Sequence, residues 1–165
     1  MQSNTLDDFT QYVENLCRKH VEIKHSDDDC HFLQLNDDQQ FQELKNITFP
    51  MVTLDKLTVS YTGSEDSTRK SRYCELMFLD KAGAGDFIEI QAVKNRMERV
   101  AEDFVKKMKA DRKQRTLYPF LKTLVLSGVE FNFVENKAHG LYGGLLSFNF
   151  DLPFVDQLEA GRFDD

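Results

Sequence analysis

The sequence predicts an α+β domain: a mainly antiparallel sheet packed by an N-terminal helix and a long central helix. Three observations predict it. Apolar residues recur at steps of three and four near the N-terminus and again from Phe87 to Met108, which is the helical period. They alternate, or line two faces, across 51–61, 72–80, 124–135 and 141–153, which is the strand period. The order of these patterns is helix, strands, helix, strands, rather than strand and helix in regular turn. A chain of 165 residues with 41% hydrophobic content can fill one core, so residues 1–155 are expected to form a single domain and the acidic stretch 156–165 a loose tail.

Thr5 with Asp8 has the form of a capping box, and Leu6, Phe9, Val13, Leu16 and Cys17 follow on one face, giving a first helix of about four turns. Val21 and Ile23 alternate with Glu22 and Lys24, and Phe32, Leu33 and Leu35 follow a polar turn at 26–29. Two short strands, paired as a hairpin, are expected there. Asn36 or Asp37 would cap a short helical turn carrying Phe41 and Leu44, which Pro50 prevents from extending.

Met51 to Tyr61 reads as a strand whose apolar side switches midway, and a bulge near Asp55 and Lys56 accounts for the switch. Residues 63–71 contain no hydrophobic side chain and are expected to be a loop. In the return strand, Arg72 to Asp80, Cys74, Leu76 and Phe78 face one way while Tyr73, Met77 and Leu79 face the other, so both sides should be covered.

The central helix is expected from Asp86 to about Arg115. Gly83 to Gly85 mark its entry, acidic residues its first turn and basic residues its last, as the helix dipole favours. Phe87, Ile90, Val93, Met97, Val100, Ala101, Phe104, Val105 and Met108 form its stripe. At roughly 1.5 Å per residue it would be about 45 Å long. In the strand after it, Val125, Val129, Phe131 and Phe133 should share one face and Leu124, Leu126 and Val134 the other. Leu146, Phe148, Phe150 and Leu152 line one face of the last strand, and 136–140 is short enough for a hairpin.

A net charge of −7 argues against broad nucleic-acid binding, which needs surplus lysine and arginine to displace counterions. No apolar run reaches the roughly 20 residues needed to span a bilayer, and the polar N-terminus is unlike a secretion signal, so the chain is expected to be cytoplasmic. Cys17, Cys30 and Cys74 form no CxxC pair and suit a reducing compartment.

Each candidate for chemistry has an ordinary explanation beside it. Cys17, His20, His25, Cys30 and His31 are residue types that zinc accepts, but a buried helix position and alternating strands would scatter them, so no metal is expected. Asp27 to Asp29 lack the spacing, glycine and closing glutamate of a calcium loop. His139 is expected to be a hairpin-tip histidine, since nothing in the sequence supplies the nucleophile and orienting group a general base needs. Gly83-Ala84-Gly85 resembles a phosphate-cradling turn without its lysine or third glycine. The basic helix end, Lys106 to Arg115, fits a solvated face or an acidic partner. No catalytic residue and no cofactor are expected.

Surplus apolar surface is the feature left over. With two helices to cover the sheet, Phe131, Phe133, Phe148, Phe150 and Phe154 are expected between subunits, unless the helices cover opposite faces. The segment carrying Glu65, Asp66, Arg69, Lys70 and Arg72 is expected to be a mobile arm that orders on assembly. These interface residues predict a homo-oligomer.

The order of elements, closed by Gly143-Gly144-Leu145-Leu146-Ser147-Phe148-Asn149-Phe150-Asp151-Leu152-Pro153, resembles the tail-terminator and neck proteins of tailed bacteriophages and related contractile injection systems. The likeness spans most of Thr5 to Pro153 as an order of elements, without a diagnostic motif. It implies a structural ring, commonly of six copies, that caps the tail tube and joins it to the head connector. Tube, sheath or connector proteins would be partners. The chain would be assembled in the bacterial cytoplasm and reside in the virion, contacting neither membrane nor specific nucleic-acid sequence. The alternatives are a small ligand-binding or enzymatic domain using His139, Tyr142 and the Gly83 to Gly85 turn, or an adaptor for one cellular protein.

Overall fold

The computed structural model describes residues 6–34, 47–64, 67–114 and 116–152. It is an α+β fold. Two helices pack on one face of a five-stranded sheet in the order β1-β2-β3-β5-β4. The elements are α1 (Leu6–Lys19), β1 (Phe32–Gln34), β2 (Met51–Ser64), β3 (Ser67–Lys81), α2 (Phe87–Asp111), β4 (Leu124–Asn136) and β5 (Leu141–Leu152). Short 3₁₀ turns precede β4 and β5. Among the described residues only the β1–β2 pair is parallel; the other three pairs are antiparallel.

α1 buries Phe9, Tyr12, Val13, Leu16 and Cys17, an amphipathic stripe one helical face wide. Burial pushes the Cys17 thiol well above the ordinary range, so it behaves as a small core apolar group. The strand expected at 21–23 is instead a turn, and the expected hairpin with it is absent. Lys24 N–H donates to His20 O at 2.9 Å and His25 N–H to Cys17 O at 3.2 Å, so the chain folds back on the helix end. Ile23 drops into the core while Val21 stays 76% exposed. β1 pairs with β2 in parallel, not with a preceding strand. The short helical turn expected around Phe41 and Leu44 lies outside the described residues, as does the tail.

The bulge stands where the apolar side of β2 switches: Leu54 faces Leu76, Lys56 faces Glu75, and Asp55 is the extra residue. α2 is shorter than expected at its C-terminal end. After Arg112 N–H donates to Met108 O, Lys113 and Gln114 turn back onto Ala110 and Asp111 in tighter three-residue steps. At the other end Phe87 and Ile88 are 83% and 85% exposed, and Phe87 does not belong to the buried stripe. Asp86 caps the helix, accepting from the amides of Ile88 and Glu89.

Both helices lie on the face defined by Val52, Leu54, Cys74, Leu76, Phe78, Leu146, Phe148 and Phe150. Phe9 of α1 meets Phe148 and Phe150 edge-on at 5.9 and 5.3 Å, and Phe104 of α2 meets Phe78 at 5.1 Å. The opposite face carries a smaller cluster of Ile47, Met51, Leu79 and Leu141, with Phe49, Met77 and Val134 against it. Coverage of both sides of β3 is therefore achieved, with the helices on one side and the segment before β2 on the other.

β4 is irregular where the sequence reads as continuous. Its register to β5 slips between Val125 and Glu130, with Gly128 at φ 88° inside the slip. That excursion changes the parity of the strand. Leu124 is buried and opposes Phe150, on the same face as Phe131 and Phe133 rather than the reverse one.

Candidate interaction surface

Among the described residues the sheet has two open edges, and Val59, Tyr61 and Phe133, three of its exposed large apolar side chains, lie along them; Val21, Phe87, Ile88 and Leu117 are exposed elsewhere. The first is the far half of the β2–β3 hairpin. Pairing continues to Gly63↔Thr68 and Ser64↔Ser67, so the expected loop at 63–71 is an arm of paired strand, two-stranded at its tip and joined by β5 from Lys70 on, and Arg69, Lys70 and Arg72 are strand residues. Glu65 and Asp66 lie outside the described residues.

Polar residues hold this arm together locally. Thr58, Val59, Tyr61 and Thr62 are branched or aromatic and suit an extended backbone. The Ser60 and Ser71 hydroxyls are 2.8 Å apart, and the Lys70 ammonium sits 5.7 Å from the Tyr61 ring centroid. Gly63, at φ 121°, lets the strands converge: a Cβ there would stand 2.1 Å from the Ser67 carbonyl oxygen.

The arm prolongs the face that the helices cover on the body. Cys74, Arg72 and Lys70 oppose Leu57, Val59 and Tyr61 on one side and Phe148, Phe150 and Leu152 on the other. The helices do not reach the end of it. Val59 is 40% and Tyr61 57% exposed.

β4 forms the other edge. Phe133 is 50% exposed and stacks edge-on with the half-buried Phe131 at 5.4 Å. Phe131 lies over Gly144, where a Cβ would come within 2.1 Å of the ring; the glycine is what gives the ring its seat. Between this strand and α2 runs a shallow groove of about 250 Å³ with Val105, Val129, Phe131 and Leu146 as its apolar floor and Glu98, Glu102 and Lys106 on its rim. Lys106 is held by Glu102 at 3.0 Å and Asp103 at 3.6 Å on its own helix.

Phe148 and Phe150 do not belong to this surface. They are 1% and 3% exposed in the single chain, seated under Phe9, and so have no area left for a neighbour. The sequence placed them there because it offers no way to count how much of one face two helices can cover. Phe154 lies outside the described residues. Of the expected interface residues, the structure thus places Arg69, Lys70 and Arg72 on β3, one strand in from the open edge of β2, and Phe131 and Phe133 on the β4 edge.

The remaining candidates are occupied by structural contacts. His25 Nδ1 accepts from the His31 amide at 3.1 Å while Nε2 faces Glu14 at 3.6 Å. His31 contacts the Pro50 carbonyl at 2.7 Å and Asp29 at 3.2 Å. Thr48 and His31 hold the Asp29 carboxyl below the usual range. Among the described residues no three His, Cys, Asp or Glu side chains gather to hold a metal ion. Ala82 N–H donates to Gly140 O at 3.0 Å, which does bring the Gly83 turn beside the His139 turn. Glu89 Oε2 accepts from Gly83 N–H at 2.7 Å and Asp86 caps the helix, so the α2 N-terminus is filled by its own carboxylates. Tyr142 is buried. At the basic end of α2, Lys107 pairs with Asp111 at 2.5 Å and Arg112 Nη2 donates to Lys122 O at 3.5 Å. No helix among the described residues is long and apolar enough to cross a membrane.

Compared with protein-family models, curated proteins and solved structures, the chain matches none.

Proposed function

We propose that this chain is a structural subunit that assembles with copies of itself into a ring, of the kind that caps a phage-like tail tube and joins it to a connector. The observation that carries this reading is the arm. It extends the apolar face of the sheet as Val59 and Tyr61 beyond the helices and flanks them with Lys70 and Arg72, while Arg69 lies on the reverse face. Exposing such a strip is costly for an isolated chain and useful to one that joins a neighbour. The order of elements supplies the type of particle; the arm supplies the reason to assemble.

Light scattering during size-exclusion chromatography tests it. The wild-type chain should elute at several times its own mass, and a variant with residues 60–71 replaced by Asn-Gly should elute as a folded monomer, since every side chain removed from the described arm is exposed or half-buried and the pairing lost to β5 is confined to its end, Lys70↔Leu152 and Ser71↔Asp151. A wild-type chain that stays monomeric at high concentration, alone and with a tube or connector protein, overturns the proposal.

A further inference from the structure

We infer that successive copies join edge to edge, β2 of one arm pairing with β4 of the next copy, so that one sheet runs on through the assembly. This rests on the ring reading above and specifies its interface.

Three observations lead there. Among the described residues, β1 lines β2 only at Val52 to Leu54, and no strand lies along the outer edge of 57–64; none lies along the outer edge of β4. A long open edge is a template for another strand, and a protein that leaves two of them has a use for them or an aggregation hazard. The two edges are on opposite sides of the sheet, so pairing them is head-to-tail, which closes into a ring or runs on as a filament; it cannot form a two-fold dimer.

Direction and face agree as well. β2 runs parallel to β5 and antiparallel to β4 within the chain, because β3 opposes both β2 and β5 and β5 opposes β4. A second copy set alongside with its helices on the same side therefore presents β2 antiparallel to β4. In that arrangement Val59 and Tyr61 fall on the same face as Phe131 and Phe133, and the exposed apolar groups of each edge cover those of the other. Lys70 and Arg72 of the incoming arm sit one strand further out on that face, away from the groove, so the contact with β4 is made by main-chain pairing and the apolar side chains. The occupant of the β4 edge is thus a second copy's arm.

A mixing experiment tests the pairing. Tyr61→Lys spoils the β2 edge and Phe133→Lys the β4 edge; both side chains are at least half exposed, and circular dichroism with a Tm within a few degrees of wild type confirms that each variant folds. Phe133→Ser replaces the lysine variant if that one does not fold. Each variant alone should be monomeric. Mixed in equal amounts they should form a one-to-one dimer and nothing larger, because each supplies the edge the other lacks. Assembly by the Tyr61 variant alone, together with failure of the Phe133 variant and no rescue on mixing, would replace this interface with a β4–β4 one. Assembly by both variants alone would overturn the edge pairing while leaving the ring reading in place. A monomeric wild type would remove both.

Discussion

The Tyr12 hydroxyl on α1 donates to Asp111 Oδ2 at the end of α2, 3.0 Å away across 99 residues of chain. Asp111 is 1% exposed, and its other oxygen takes the Lys107 ammonium at 2.5 Å. Burial, and then the Asp111 charge, push the Tyr12 hydroxyl far above its ordinary range, so it remains a donor at every working pH. Tyr12 also lies edge-on to Tyr118 and Phe120 at 5.0 and 5.5 Å, which brings the turn before β4 against the same point. This bond fixes how the two helices share one face of the sheet.

Removing either partner should destabilise the fold by unequal amounts. Tyr12→Phe leaves Asp111 its lysine and should cost about 1.5 to 3 kcal/mol, as for a hydrogen bond to a charged group. Asp111→Ala leaves the buried Tyr12 hydroxyl without this acceptor, removes the Lys107 ion pair and opens a small cavity, and should cost more. Urea denaturation of the two single variants and the double variant checks this: a coupling energy near zero would show that the bond contributes nothing beyond packing.

Acid should weaken the protein before its carboxylates titrate. His25 is held below the ordinary histidine range, chiefly by burial and then by Arg18, with Glu14 opposing and His31 adding to the shift. The geometry agrees, since Nδ1 accepts from the His31 amide and so cannot carry a proton without losing that bond. In the window between the lowered value and the ordinary one near ~6.5, the unfolded chain binds the proton and the folded chain does not. Stability therefore rises with pH through that window and is flat with respect to this group above it. His25→Asn, which keeps an acceptor near the same place, should flatten the dependence of the denaturation midpoint below the ordinary histidine pKa of about 6.5. An unchanged slope would assign the titration to another group.

The seat of Phe131 on Gly144 should be intolerant of added volume. Gly144→Val would drive a side chain into a ring that already lies within 2.1 Å of a bare Cβ position, and Gly143 beside it is closed off by the Phe78 carbonyl at 1.9 Å. Overpacking of this kind costs about 1 to 3 kcal/mol. Phe131→Ala in the Gly144→Val background should recover part of the lost Tm, because it vacates the space. A Gly144→Val protein as stable as its parent would mean that Phe131 has a second resting place.

Periodicity made α1, α2, the bulge at Asp55 and the closing hairpin readable, because each is a local pattern of apolar residues long enough to count. What failed was either too short or too polar for that test. Val21 to Ile23 has the alternation of a strand over three residues, yet hydrogen bonds back to His20 and Cys17 decide its shape. The arm reads as a loop because hydrophobicity was the criterion, whereas its order comes from hydroxyls, the Lys70–Tyr61 contact and one glycine. The run of branched and hydroxyl residues through Thr62, without the proline or clustered glycines of a loop, was the available signal. Phe131 and Phe133 could be named from sequence as surface candidates, but separating them from Phe148 and Phe150 needed the position of Phe9 in space.

Gly63 should control whether the arm is formed at all. Its φ of 121° is open to glycine and strained for other residues, and a Cβ there would meet the Ser67 carbonyl oxygen at 2.1 Å. Gly63→Ala should therefore unzip the pairs nearest the turn, Thr62↔Arg69 and Gly63↔Thr68, without touching a buried side chain. The Tm of the body should stay within a few degrees of wild type, while amide exchange in residues 60–71 should accelerate by at least tenfold, equivalent to about 1.4 kcal/mol of lost local protection. Because the arm is the proposed contact with a neighbour, the same variant should assemble only at higher protein concentration. Unchanged exchange in the arm would show that the backbone there accommodates alanine, and a large fall in Tm would show that the arm is an integral part of the core rather than an extension of it.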